Sequence, residues 1–71
     1  LLHRSTTINT ELGAARVKLL YDGEQFLRLS AEYDDCCELA ETSQRPLRQV
    51  YRLVEETAYQ QLKLEPNKDL E

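Results

Sequence analysis

Across Ser30-Ala31-Glu32-Tyr33-Asp34-Asp35-Cys36-Cys37-Glu38 the chain leaves a β-patterned segment for helical spacing, and the new segment opens on four carboxylates with no cation among them. Negative charge favours a helix start, because the macrodipole and the unpaired first-turn amides place partial positive charge there. Ser30 is positioned to cap those amides. Strands therefore belong on one side of this junction and helices on the other. That order predicts an α+β domain.

Upstream, Ser5-Thr6-Thr7-Ile8-Asn9-Thr10 is rich in β-branched residues, and Gly13 leads into Ala14-Ala15-Arg16-Val17-Lys18-Leu19-Leu20-Tyr21. Asp22-Gly23 then turns the chain into Glu24-Gln25-Phe26-Leu27-Arg28-Leu29, completing a three-stranded antiparallel meander with the second strand central. A two-residue Asp22-Gly23 loop would set Val17 against Arg28. A three-residue Tyr21-Asp22-Gly23 loop, with Gly23 left-handed at a bulge, sets Val17 against Leu27 and Ala15 against Leu29. The second register collects Ala15, Val17, Leu19, Leu27 and Leu29 on one face and sends Arg16, Lys18, Phe26 and Arg28 to the other.

Downstream, a first helix over residues 31–41 carries Tyr33, Cys36, Cys37 and Ala40 in one stripe. Thr42-Ser43-Gln44-Arg45 breaks it. Pro46 suits the first turn of a second helix, whose buried side is traced by Leu47, Val50, Tyr51, Val54, Ala58 and Leu62. Both helices should pack on the apolar sheet face and leave the cationic face open or covered by another chain. Residues 1–62 then form one module, and residues 63–71, aperiodic and interrupted by Pro66, form a mobile tail.

A chain of 71 residues with 41% hydrophobic residues has a thin core, and domains of this size often lean on a partner. The opening Leu1 reads as the start of a cut-out or processed piece of a larger protein, and the closing Leu70-Glu71 as a cloning scar. Adjacent Cys36 and Cys37 cannot bridge each other on a helix, which fits a reducing compartment. With neither an apolar run of membrane-spanning length nor a signal-peptide pattern, the expected location is cytoplasmic and the expected partners exclude a membrane. A net charge of -4 argues against nucleic acid as a partner. The positive charge is concentrated early, with Arg4, Arg16, Lys18 and Arg28 facing only Glu11, Asp22 and Glu24 within residues 1–30.

The residues contain no Gly-rich phosphate loop, no paired-cysteine zinc spacing and no set from which to build a nucleophilic triad, so stand-alone catalysis is not expected. Three constellations remain. Arg16, Lys18 and Arg28 share a face in the preferred register and suit phosphate oxygens, although from the residues alone a solvated charged face is the favoured account of them. Glu32, Asp34, Asp35 and Glu38 are hard oxygen ligands for a divalent cation; helical spacing puts Glu32 with Asp35 and Asp34 with Glu38, so outside groups would be needed to complete a site. Favourable dipole placement explains the same run. His3 with Cys36 and Cys37 could ligate a soft metal, but their spacing supports no such site.

Read together, Arg16-Val17-Lys18-Leu19, the Gly23 turn, Glu32-Tyr33-Asp34-Asp35-Cys36 and Pro46-Leu47 with Val50-Tyr51 resemble the C-terminal region of the nickel-insertion protein of nickel-pincer cofactor synthesis, the pyridinium bis-thiocarboxylic acid mononucleotide nickel chelatase. The likeness runs from about Ser5 to Leu62. It implies a CTP-metal-binding and oligomerisation module of a larger CTP-dependent cyclometallase of the lyase class. Its implied cofactors are CTP with Mg2+ or Mn2+, with nickel as the inserted metal. Its implied partners are the remainder of the parent protein and further copies of the chain. On this resemblance Arg16 and Lys18, joined by Arg28 from the cation cluster, take nucleotide-phosphate roles, Glu32 and Asp35 take metal-side roles, and Cys36 faces the core. The chain departs from the family pattern at Ala31, where Pro is usual, at Asp34, where Glu is more usual, and at Cys37, where a basic residue is common. The competing expectation is a structural assembly module without a ligand of its own, and a nucleic-acid binder ranks third.

Overall fold

The computed structural model describes residues 1–66. Strands β1 (Leu2–Thr10), β2 (Gly13–Asp22) and β3 (Gln25–Ala31) form an antiparallel meander with β2 central, followed by helices α1 (Tyr33–Ser43) and α2 (Leu47–Leu62). This is the α+β architecture expected from the order of the sequence patterns. Ala15, Val17 and Leu19 alternate along β2 and pair on the same face with Ile8 and Leu29. Cys36 and Leu39 of α1 and Val50, Val54 and Ala58 of α2 close over them to make one core. Val17, Val50 and Val54 have no exposed surface; each contributes roughly 1.5–3 kcal/mol by leaving water.

The β2–β3 register differs from the expected one. Asp22 pairs with Gln25, so the chain reverses through Gly23-Glu24, with Gly23 at φ 60° supplying the positive φ that such a two-residue hairpin requires. A bulge follows between Leu20 and Tyr21: Tyr21 pairs with Phe26, Leu20 with Arg28, and Leu27 is the extra residue. Beyond the bulge Leu19 meets Leu29 and Val17 meets Ala31. This is a shift of four residues from the expected pairing, and an even shift preserves which face each side chain takes. Leu29 therefore stays in the core as expected. Before the bulge the parity flips: Phe26 turns to the core side against Tyr21 and Tyr59, at ring-centroid separations of 5.7 and 6.1 Å, and Leu27 is left half-buried outside the core. Edge-to-face aromatic contact thus replaces the aliphatic pairing expected there.

Helix α1 starts later than expected. Glu32 is its N-cap and makes no side-chain cap bond, while Ser30 lies within β3 opposite Lys18. The core side of α1 is Cys36, Leu39 and Ala40; Tyr33, expected in the buried stripe, is 61% exposed. Two turns end in the left-handed conformation at non-glycine residues. Gln44 (φ 56°) closes α1 as Arg45 N–H donates to the Ala40 carbonyl, and Lys63 (φ 55°) closes α2 as Leu64 N–H donates to the Tyr59 carbonyl. Leu64 packs against the core, so the first residues of the expected tail take part in the end of α2; residues 67–71 of that tail lie outside the described residues.

Helix α2 crosses the sheet and reaches both of its edges. The Glu55 carboxylate accepts from Ala31 N–H on β3 at 3.3 Å, and Gln61 Nε2 donates to the Asn9 carbonyl on β1 at 2.6 Å. These contacts satisfy backbone groups that no neighbouring strand reaches. Among the described residues the opposite sheet face carries no helix.

Candidate functional site

The end of β3 sets the geometry of the acidic junction. Glu32 N–H still donates to the Arg16 carbonyl at 3.0 Å, as a further ladder residue would, but the Glu32 carbonyl has turned into α1 and accepts from Cys36 N–H at 3.1 Å. Arg16 N–H is thereby left without a strand partner. The Asp35 carboxylate fills the place: Oδ2 accepts from Arg16 N–H at 2.8 Å and from Arg16 Nε at 2.9 Å, and Oδ1 accepts from Arg16 Nη2 at 2.9 Å. One side chain on the first turn of α1 thus continues the β-ladder and grips the guanidinium in a fork. The Asp35 carboxyl is held below its ordinary pKa by Arg16, first through the side-chain hydrogen bonds and then through the backbone one. Lys18, two residues along β2, lies 3.6 Å from Glu32 Oε1, an ion-pair distance rather than a hydrogen bond.

Of the sequence-derived candidates, Arg16, Lys18 and Arg28 do share the uncovered sheet face, with His3, Ser5, Thr7 and Ser30 in the cross-strand positions around them. Glu32 and Asp35 do fall together. The structure joins the two sets to each other, however, so the candidate phosphate ligands and the candidate metal ligands neutralise one another in pairs. Arg28 makes no ion pair among the described residues. Asp34 and Glu38 point away on the exposed side of α1, and His3 lies across the sheet from buried Cys36. No group of three or more His, Cys, Asp or Glu side chains is placed to hold a metal ion among the described residues. Both Asp35 oxygens are taken by Arg16, so these residues by themselves do not fit a divalent cation.

The two cysteines differ. Cys36 has no exposed surface, and burial pushes its thiol up to about 11, so it is neutral and inert at physiological pH. Cys37 is half-buried beside the Tyr33 phenol, whose pKa it raises.

Sequence reasoning passed over a second cationic feature. On the outer side of α2 a cleft of about 530 Å³ is lined by Arg45, Arg48, Gln49, Arg52, Leu53 and Glu56. Arg48 and Arg52 stand at i and i+4 on one face of α2, with Arg45 just ahead of the Pro46 N-cap, and that spacing could have been read from the residues.

Three strands under two helices, with the first helix clamped to the central strand by Arg16 and Asp35, define a two-layer α+β module. The chain belongs to the nickel insertion protein family, whose model matches residues 1–51. A relative from Syntrophotalea carbinolica named for nickel insertion is 48% identical over 52 residues, covering 73% of this chain and 13% of the relative. The pyridinium-3,5-bisthiocarboxylic acid mononucleotide nickel insertion protein of Desulfitobacterium hafniense is 36% identical over 52 residues, with the same two coverages of 73% and 13%. Among solved structures the fold matches LarC2, the C-terminal domain of a cyclometallase involved in the synthesis of the NPN cofactor of lactate racemase, in its apo form. That match has a TM-score of 0.72 and 26% identity, and covers 80% of this chain and 39% of that one. The chain thus spans about an eighth of the length of the curated relatives it matches. No helix among the described residues is long and apolar enough to cross a membrane.

Proposed function

We propose that this chain is the C-terminal CTP-metal-binding and oligomerisation module of a cytoplasmic, CTP-dependent nickel-insertion cyclometallase that makes the nickel-pincer nucleotide cofactor. The likeness to LarC2, a domain of a cyclometallase involved in NPN cofactor synthesis, carries this reading. Nickel is the substrate metal of the parent protein. On the uncovered sheet face Arg28 is free to meet a phosphate directly, whereas Arg16 and Lys18 become phosphate ligands only by exchanging partners. The single 3.6 Å contact of Lys18 with Glu32 yields before the threefold grip of Arg16 on Asp35. Mg2+ or Mn2+ would be held chiefly by the nucleotide's own phosphates, with Glu32 as the nearest carboxylate, because Asp35 is committed to Arg16. Titration calorimetry of the full-length parent protein with CTP and Mn2+ tests the reading. Saturable binding that weakens in Arg28→Ala is expected; no binding by the assembled protein would overturn it.

The uncovered sheet face and the two sheet edges, β1 and β3, favour a second reading, a structural assembly module without a ligand. It predicts an oligomer in light scattering that is indifferent to CTP.

A further inference from the structure

The two edges of the sheet are finished differently. Strand β3 has seven residues, its ladder is broken by the bulge at Leu27, and its last N–H, at Ala31, donates to Glu55. Short length, a bulge and a covering side chain are devices that keep a sheet edge from accepting another strand. Strand β1 has nine residues in unbroken register with β2, contains neither proline nor lysine, and is β-prone at Thr6, Thr7 and Ile8. Its Asn9 carbonyl is covered by Gln61.

The open stretch of β1 runs from His3 to Thr7. Thr10 and Gly13 flank a two-residue turn as a hydrogen-bonded pair, so alternation along the strand aims the backbone groups of His3, Ser5 and Thr7, like those of Asn9, away from β2. All three residues are exposed, and among the described residues their outward N–H and C=O groups have no partner. The neighbouring side chains are incomplete as well. Leu2 and Arg4 lie on the helix side of the sheet, opposite Tyr21 and Leu19 of β2. Leu2 is 49% exposed, and Arg4, its guanidinium 5.6 Å from the centre of the Tyr21 ring, makes no ion pair among the described residues.

We propose that the β1 edge over His3–Thr7 receives a fourth strand, an extended antiparallel segment of the parent protein that sets a carboxylate opposite Arg4 and an apolar side chain opposite Leu2. Arg4 and Leu2 occupy non-hydrogen-bonded positions toward such a strand, where cross-strand side chains stand closest. The parent has chain to supply it: the residues here span about an eighth of the curated relatives and 39% of the LarC2 chain. A second copy fits less well. Two-fold pairing centred on Ser5 would set Arg4 opposite Thr6 of that copy and leave it without a carboxylate. Pairing over five residues also buries far less than the roughly 1,200 Å² of a stable interface, whereas a tethered segment meets the edge at high effective concentration. The inference rests on the chain being a module of a larger nickel-insertion protein, and not on CTP binding.

Residue-resolved hydrogen exchange of the full-length parent, beside the 71-residue chain, tests the proposal. The His3, Ser5 and Thr7 amides should exchange roughly a hundredfold more slowly in the parent than in the chain, at any protein concentration. Ser5→Pro removes one outward N–H, which an open edge tolerates and a paired one does not. In the parent it should return the His3 and Thr7 amides to fast exchange, and in the 71-residue chain it should leave the Val17 amide as protected as before. Fast exchange at all three positions in the parent, with Val17 protected, overturns the proposal. Protection that disappears on dilution makes a second copy the occupant and overturns it too. Protected β1 amides in a parent that fails to bind CTP remove the CTP reading and keep the fourth strand.

Discussion

Arg16 and Asp35 are joined by three hydrogen bonds, one of them from the Arg16 backbone, so a single carboxylate both ends the β2–β3 ladder and fixes the start of α1. The pair is asymmetrically exposed, with the Arg16 side chain 58% and the Asp35 side chain 19% accessible. Its structural value therefore comes chiefly from the satisfied backbone N–H and the fork geometry, because charge attraction at that exposure is screened by water.

Replacing Asp35 with Ala should lower the thermal midpoint by roughly 5 °C, since a strand-end amide and a guanidinium both lose their acceptor. Asp35→Asn, which keeps one acceptor oxygen, should lose less. The pH dependence has a definite sign: a carboxyl whose pKa is depressed in the folded state stabilises fully above the ordinary carboxylate range, and that stabilisation disappears as pH falls through the depressed value. Thermal melts of the two proteins should therefore converge below about pH 4. A constant gap across pH would assign the loss to packing.

Cys36 should resist thiol reagents in the folded chain at pH 8 while Cys37 reacts, as mass spectrometry of labelled protein can establish. Its folded pKa of about 11, raised from 9.0 by burial, also makes it a source of alkaline instability. The stabilisation is whole below pH 9 and is lost as pH rises toward the folded value. Cys36→Ser buries a hydroxyl in an apolar site and should cost about 1–3 kcal/mol in denaturant melts.

Gly13→Ala should destabilise by roughly 1–3 kcal/mol. Gly13 has φ 135°, a conformation that L side chains rarely adopt, and an added Cβ would lie 3.0 Å from Leu39 Cδ2. Trimming the neighbour in the Gly13→Ala, Leu39→Ala double variant relieves the clash and leaves the backbone strain, so stability should not return.

Gln44→Gly should stabilise by about 0.5 kcal/mol, because the left-handed cost paid by Gln44 exceeds the entropy glycine adds to the unfolded chain. Denaturant melts at constant m-value read this directly.

The order of elements and most of the core were legible in the sequence. Period-two spacing placed Ala15, Val17, Leu19 and Leu29 on one face, and 3.6-residue spacing placed Val50, Val54 and Ala58 inside. What escaped was pairing. Gly23 reads equally well as either residue of a hairpin turn, and nothing local announces the bulge that turns Phe26 inward and Leu27 out. The contact between the candidate residues was hidden for a related reason. Arg16 and Asp35 were each visible as ligands, but their contact spans 19 positions in the chain and depends on where β3 ends. Arg48 and Arg52 of α2 are legible as a cationic pair from their four-residue spacing alone.

Chemical-shift mapping by NMR, with CTP and Mg2+ added stepwise to the isotope-labelled full chain, tests CTP-metal binding at residue resolution. We expect saturable shifts confined to the cationic sheet surface around Arg28, Lys18 and Glu32. A folded chain whose amide spectrum stays unmoved on that surface, with CTP and Mg2+ in large excess, would contradict the assignment of this chain as a CTP-metal-binding module.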